Sequence, residues 1–107
     1  MVDESIVEAI KQYLAILPAK GIHARRAVLF GSHAKGTADE WSDIDLIVLA
    51  PEFDIDRSHR LRHELWQASG GIDAHIEPIA CGEQEWETDD GQPLLEIARR
   101  EGIEIRV

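Results

Sequence analysis

The N-terminal stretch of the chain has the hydrophobic periodicity of a helix. Apolar residues recur with a period of about 3.6 residues from Ile6 to Leu17, and Asp3 is of a type that caps helix N-termini. Pro18 cannot continue a helix, and Gly21 can adopt the left-handed conformation that closes one. The pattern predicts an amphipathic helix that ends near Pro18.

Short apolar runs further along the chain are typical of strands, because they are too brief for helices and are bounded by turn residues. Pro78, near the end of one run, favours an edge strand or a bulge at that point. The predicted strands are Ala27–Phe30, Ile44–Leu49, Ile72–Ile79 and the alternating segment from Ile103 to Val107, which we expect to be a closing edge strand.

Two further helices are predicted between these strands. The apolar positions from Ile55 to Ala68 mark the first, with Asp56 as its opening cap residue and Gly70–Gly71 at its end. The second carries the apolar stripe from Leu94 to Ala98. The alternation of helices and strands indicates an α/β (α+β) protein, with helices packed on a small mixed sheet. We expect residues 1–107 to form a single domain.

Charge and cysteine content narrow the function classes. The chain has 21 acidic and 11 basic residues and a formal net charge of −10, which disfavours direct binding to nucleic acid and favours a basic protein partner. Cys81 is the single cysteine, so an internal disulfide and an all-cysteine metal site are excluded. No apolar run is long enough to cross a bilayer, and we expect a cytoplasmic protein that does not bind membranes.

A turn rich in small residues follows the strand that ends at Phe30. Gly31 allows the backbone to approach a ligand closely, Ser32 provides a hydroxyl, and successive amides of this turn can form an anion-binding nest. Taken alone, a Gly-Ser pair is more often part of an ordinary loop.

Two carboxylates stand at the start of the next apolar strand. Residues two apart on a strand point to the same face, so Asp43 and Asp45 lie roughly 7 Å apart along it. Two Mg²⁺ ions about 3.5 to 4 Å apart would offset this charge and support an in-line phosphoryl displacement. The alternative is a solvated strand end, which is the more common explanation of an isolated Asp-x-Asp.

Taken together, these residues resemble a known signature. Gly31-Ser32, Gly36, Ser42-Asp43 and Asp45 resemble the G-S…G…S-D-x-D pattern of the polymerase-β nucleotidyltransferase superfamily, and the chain resembles its minimal nucleotidyltransferase branch. The resemblance implies the nucleotidyltransferase fold of the polymerase-β type. It also implies transfer of a nucleoside monophosphate from a nucleoside triphosphate, usually ATP, to a hydroxyl.

The resemblance also implies roles for individual residues. Asp43 and Asp45 would hold the metal ions. Lys35 stands where an arginine is often found, so it keeps a charge for phosphate but lacks the bidentate fork. The nucleotide-binding residues implied are Gly31, Ser32, Lys35, Gly36 and Ser42.

A third carboxylate is needed to complete the metal site and to accept the proton of the attacking hydroxyl. Alternation along the predicted strand puts Asp73, His75 and Glu77 on one face, so both acids qualify as catalytic residues. The resemblance favours Glu77 as the third catalytic carboxylate and metal ligand, because family members carry this acid about nine residues before an aromatic such as Trp86.

The resemblance suggests a partner as well. Minimal nucleotidyltransferases are similar to antitoxins that pair with a small helical HEPN-domain ribonuclease and adenylylate it on tyrosine, which implies a hetero-oligomer. The acidity of this chain suits a basic RNA-binding surface. Two alternatives stay open: a binding module that neutralises the partner by docking alone, and a nucleotidyltransferase for a small molecule.

Several other residues have simpler interpretations. Trp41 either packs or stacks on a base or sugar, whereas Trp66 and Trp86 are predicted in the core or an interface. Cys81 lacks the histidine partner that nucleophilic catalysis requires. A solvated helix face is predicted for His59, His63, Arg57, Arg60 and Arg62, the arginines being an alternative partner surface.

Overall fold

The fold is a four-stranded mixed sheet with helices on both faces. The computed structural model describes residues 2–39, 41–56, 58–72, 75–89 and 91–107. The strands are β1 (Arg26–Phe30), β2 (Ile44–Leu49), β3 (Ile76–Cys81) and β4 (Ile103–Arg106), in the spatial order β3-β2-β1-β4. The helices are α1 (Glu4–Ile16), α2 (Ser32–Lys35), α3 (Glu52–Ile55), α4 (His59–Ser69), α5 (Glu83–Thr88) and α6 (Pro93–Glu101), with a 3₁₀ turn at Leu17–Lys20.

Strand directions bring three chain segments to the same end of the sheet. β1 and β2 are antiparallel, whereas β2 and β3 are parallel. The C-terminal end of β1 therefore lies beside the N-terminal ends of β2 and β3. Gly31, Asp43 and His75 are the residues next to these three strand ends. We call this end of the sheet, where Gly31, Asp43 and His75 lie, the upper end.

The sheet separates two apolar clusters, because successive side chains of a strand point to opposite faces. On one face, α1 and α4 pack against the residues that include Leu29, Leu46 and Ile76. On the other face, the buried side chains include Val28, Ile47 and Leu49 of the sheet and Leu95 and Ala98 of α6. Asp45 has the parity of Ile47 and Leu49, so it belongs to the face that α6 covers.

Tyr13 joins α1 to α4, the two helices that pack on the face with Leu29 and Leu46. It is fully buried, and its hydroxyl donates a 2.7 Å hydrogen bond to the carbonyl oxygen of Leu65. Burial raises the pKa of Tyr13, so the phenol stays a neutral donor. The bond ties α1 to α4 across 52 residues of sequence.

Removing this hydroxyl is expected to destabilise the fold. Tyr13→Phe loses one buried hydrogen bond and changes little else, so the free energy of unfolding should fall by about 1 kcal/mol. Urea unfolding followed by circular dichroism measures it. A midpoint equal to that of the wild type would show that the bond contributes nothing net.

The predicted helices and strands are largely confirmed, but the bounds of two elements are corrected and the short helices α2, α3 and α5 were not predicted. Asp56 does not begin the second helix, because Ile55 ends the separate short helix α3 and Ser58 caps α4 by accepting from the amide of Arg60. The third strand begins at Ile76 rather than Ile72 and continues to Cys81, which puts Pro78 inside this edge strand. Helix α5 was not predicted, and its one large apolar residue, Trp86, is only partly buried.

None of the helices in the described ranges is both long enough and apolar enough to span a membrane.

Candidate functional site

Three acidic side chains meet at the upper end of the sheet. Asp45 in β2 is directly opposite Glu77 in the parallel strand β3. Asp43 precedes β2, and its Oδ1 lies 3.7 Å from Nδ1 of His75, which precedes β3. The structure therefore brings together Asp43, Asp45 and Glu77, which the sequence assigned to a metal site.

The proximity of these carboxylates changes the pKa of one of them, Glu77. The charge of Asp43 raises the pKa of Glu77 above its usual value, with smaller contributions from desolvation and from Asp45. Glu77 is largely exposed, so repulsion between like charges is the main cause rather than burial. Excess negative charge at a single point is the electrostatic condition that a cation relieves.

Gly31 brings the backbone against one of these carboxylates, that of Asp45. It has a φ of +74°, a region that residues other than glycine rarely adopt. A Cβ at this position would overlap the carboxylate of Asp45. Glycine is required here for two reasons, the backbone conformation and the space that Asp45 occupies.

The other predicted nucleotide-binding residues lie in helix α2 and its C-terminal end or in the loop before Asp43. Ser32 begins the short helix α2 immediately after Gly31, and Gly36 ends it with a φ of +77°. Lys35 points toward α6, where its Nζ lies 3.7 Å from Oε2 of Glu101. Ser42 Oγ donates to Oδ1 of Asp39 and accepts from its amide, so this hydroxyl orders the loop before Asp43.

Three predictions from the sequence concern residues near this site, and one of these residues lies outside the described part of the chain. Asp73, the alternative third carboxylate, lies outside the described residues, so the choice between it and Glu77 rests on the position of Glu77 beside Asp45. Trp41 is 82% exposed, which removes the packing interpretation of this residue. Of the two positions predicted for Trp66, the core or an interface, the core is excluded, since 53% of the residue is exposed.

The donor set fits a hard divalent cation. Carboxylate oxygens are the ligands that Mg²⁺ prefers, and Asp43, Asp45 and Glu77 supply them from adjacent strands. In the described part of the chain, no three acidic, histidine or cysteine side chains are already arranged around one metal position. Carboxylates at strand ends can rotate toward a cation, and the repulsion among Asp43, Asp45 and Glu77 favours its binding.

His33 is a residue of this region that the sequence did not single out. Its Nε2 lies 3.2 Å from the carbonyl oxygen of Ser42, so the ring can link helix α2 to the segment that leads into Asp43. Its place two residues after Gly31 is the only sequence signal for this role.

Asp54 is a second residue with an unpredicted role. Its carboxylate accepts hydrogen bonds from the amides of Gln84 and Glu85 and so stabilises the first turn of α5. Gly82 is needed at that point, since a Cβ there would overlap the same carboxylate. No sequence pattern connects positions that lie 30 residues apart.

Cys81 takes no part in the site. It is buried in the second cluster, and desolvation, together with the nearby carboxylate of Glu85, raises its pKa to about 12. We expect the native thiol to react with Ellman's reagent at pH 8 only when the chain unfolds, because almost none of it is thiolate. Stoichiometric labelling of the native protein within minutes would contradict this assignment.

The fold and site geometry agree with comparisons to known proteins. The profile of the nucleotidyltransferase domain family matches residues 10–91. A protein of Methanocaldococcus jannaschii named "putative protein adenylyltransferase" is 37% identical over 71 residues, a match that covers 64% of this chain and 48% of the relative. The chain thus spans about half the length of that relative.

A solved structure supports the same fold. The crystal structure of a "putative nucleotidyltransferase" from Sulfolobus solfataricus superposes with a TM-score of 0.60, and the match covers 91% of this chain and 76% of that one. At 16% identity, this likeness concerns the fold alone.

The chain therefore belongs to the nucleotidyltransferase domain family, whose profile covers most of its length, including Gly31, Asp43, Asp45 and Glu77. The nucleotidyltransferase resemblance inferred from the sequence and the predicted mixed sheet with packed helices are both confirmed. Membership supports transferase activity with a nucleoside triphosphate and a divalent metal.

Proposed function

We propose that this protein transfers AMP from ATP to a hydroxyl of a protein partner and that it requires Mg²⁺. The observation that carries the proposal is the position of Asp43, Asp45 and Glu77 beside the Gly31–Ser32 turn at one end of the sheet. The likeness to a protein named as a protein adenylyltransferase supports a protein as the acceptor.

The proposed reaction is an in-line displacement at the α-phosphorus of ATP. The acceptor oxygen forms a bond to that phosphorus, the bond to the bridging oxygen of the β-phosphate breaks, and pyrophosphate leaves. The Glu77 carboxylate accepts the hydroxyl proton, and the neighbouring charge of Asp43, which raises the pKa of Glu77, makes this carboxylate a stronger base. The turn at Gly31 and Ser32 would bind the phosphates, with backbone amides as donors.

Asp43, Asp45 and Glu77 would hold the Mg²⁺ ions. When bound, the metal supplies positive charge that offsets the carboxylates and the triphosphate. The sequence-based expectation of two ions remains a part of this proposal.

The proposed partner is a small, basic helical protein of the HEPN type, for which this chain would act as antitoxin in a hetero-oligomer. The net charge of −10 supports attraction to a basic surface. Binding should then weaken as salt concentration rises, because exposed charges are screened.

Co-purification tests this function. The untagged chain is purified from its native host, and the protein that accompanies it is incubated with ATP and Mg²⁺ and then weighed by intact-mass spectrometry. We expect the partner to gain the mass of one or more AMP units, and to gain none in EDTA or with Asp45→Asn. A partner of unchanged mass under all conditions would contradict the proposal.

A second candidate, neutralisation by docking alone, is favoured by one observation. Lys35, a predicted phosphate ligand, is paired with Glu101 on α6. If docking is the function, Asp45→Asn should neutralise the partner as well as the wild type does, without any mass being added. Loss of neutralisation in that variant, with binding retained, would exclude docking alone.

A further inference from the structure

A cleft opens beside the carboxylates, at the outer edge of the sheet. It has a volume of about 340 Å³ and lies between the C-terminal turn of α4 and the start of β3. Trp66, Ile72 and Ile76 form its apolar side, and Asp43 and Glu77 line its acidic side. We call it the α4–β3 cleft.

The geometry of an in-line displacement indicates which of the two substrates binds on the side of the sheet where the cleft opens. In such a displacement, the attacking oxygen and the departing pyrophosphate lie on opposite sides of the phosphorus. Asp45 has Phe30 of β1 as its neighbour on one side and Glu77 of β3 on the other. If the phosphates bind at the turn after Phe30, the acceptor must approach from the side of β3, where the cleft opens.

The lining and size of the cleft suit an acceptor side chain. Its volume is at the lower end of the range of roughly 300 to 1,000 Å³ in which small molecules bind, so it suits one side chain better than a whole nucleotide. An indole face binds flat apolar groups well, and the two carboxylates stand where a polar tip would be. β3 is an edge strand, so a polypeptide can reach the cleft from outside the sheet.

We propose that the α4–β3 cleft binds the apolar body of the residue that carries the acceptor hydroxyl, and that Trp66 determines acceptor affinity. The inference rests on the proposed function for the identity of the reaction. It gives a binding role to an indole that is 53% exposed and that contributes little to the core.

Kinetics with the co-purified partner test the role of Trp66. Trp66→Ala should raise KM for the partner by about ten- to a hundredfold, with KM for ATP unchanged and kcat reduced less than KM is raised. Trp66→Phe should restore most of the affinity, because it keeps a flat ring. The matched control is Gln67→Ala, an exposed neighbour on the same helix that does not line the cleft.

Two kinetic outcomes would overturn the inference while leaving the proposed function intact. One is transfer by Trp66→Ala with a normal KM for the partner. The other is an increase in KM for ATP instead, which would assign the cleft to the nucleotide base.

A binding experiment tests the cleft without relying on transfer. p-Cresol, a hydroxyl on a flat apolar ring, is titrated into the ¹⁵N-labelled protein. We expect shifts at the Trp66 indole N–H and at the amides of Gly70 and Ile72. The two amide shifts should be abolished in Trp66→Ala, and all three shifts should be retained in Gln67→Ala. Equal binding by Trp66→Ala would overturn the inference. If transfer fails while these shifts are seen, the proposed reaction is wrong and the cleft is still a binding site.

Discussion

Asp45→Asn and Glu77→Gln are each expected to lower nucleotidyl transfer by at least about a hundredfold without unfolding the protein. Each amide keeps the shape of the carboxylate and removes the charge that a cation requires. Glu8→Gln, an exposed acid on α1, is the matched control and should retain full activity. Initial rates of AMP transfer at saturating ATP and Mg²⁺ measure the effect.

Glu77→Gln is also expected to preserve or raise the stability of the fold, although it lowers activity. Because repulsion raises the pKa of Glu77 in the folded state, ionisation of this acid opposes folding, and the opposition grows as the pH rises through that pKa. At pH 7 in EDTA, Glu77→Gln should therefore melt at the wild-type temperature or above it. A lower melting temperature together with lost activity would indicate a structural role instead of a catalytic one.

Gly31→Ala should abolish activity because the new Cβ would overlap the Asp45 carboxylate. Gly21→Ala is a close control, since Gly21 has a φ of +87° and nothing lies within 4 Å of the position of its Cβ. Gly21→Ala places alanine in the left-handed αL conformation, which costs about 1 to 2 kcal/mol. Gly31, at φ +74° and ψ −152°, lies in a region that essentially only glycine adopts, so Gly31→Ala carries a backbone cost on the order of 1 to 3 kcal/mol. We expect both to lose stability and only Gly31→Ala to lose transfer, by at least about a hundredfold.

Urea unfolding and initial rates of transfer distinguish the two effects. Full activity in Gly31→Ala would show that Asp45 does not depend on this contact. An equal loss of activity in Gly21→Ala would show that the effect is a general consequence of reduced stability.

The sequence was sufficient for the parts of the fold in which periodicity and length agree. Ile44–Leu49 is apolar apart from Asp45 and is too short for a helix, so both of its bounds were predicted correctly. The opening helix was also clear, because Asp3 and Pro18 mark its two ends.

Local signals failed where tertiary contacts decide the structure. Ile55 was assigned to the helical stripe of α4, but it is 84% exposed in a short separate helix. Helix α5 has few apolar residues, and Asp54, distant in sequence, stabilises its first turn. No pattern along the chain shows such a contact.

The candidate site was predictable in part. The Gly-Ser turn and the Asp-x-Asp pair stand close together in sequence and carry a recognisable signature, and the fold brings them to one end of the sheet. The α4–β3 cleft was not predicted, because it forms only when Trp66 and Glu77 come together from different elements. Trp66, predicted to lie in the core or an interface, lines this cleft and is not in the core.

Transfer of label from ATP is the direct test of whether this protein attaches AMP to its partner. The protein and its co-purified partner are incubated with Mg²⁺ and with ATP labelled at either the α- or the γ-phosphate, beside Asp45→Asn as control. We expect α-label to become protein-bound in the wild type alone and γ-label to be released as pyrophosphate. Protein-bound γ-label, or equal α-labelling by Asp45→Asn, would contradict this expectation.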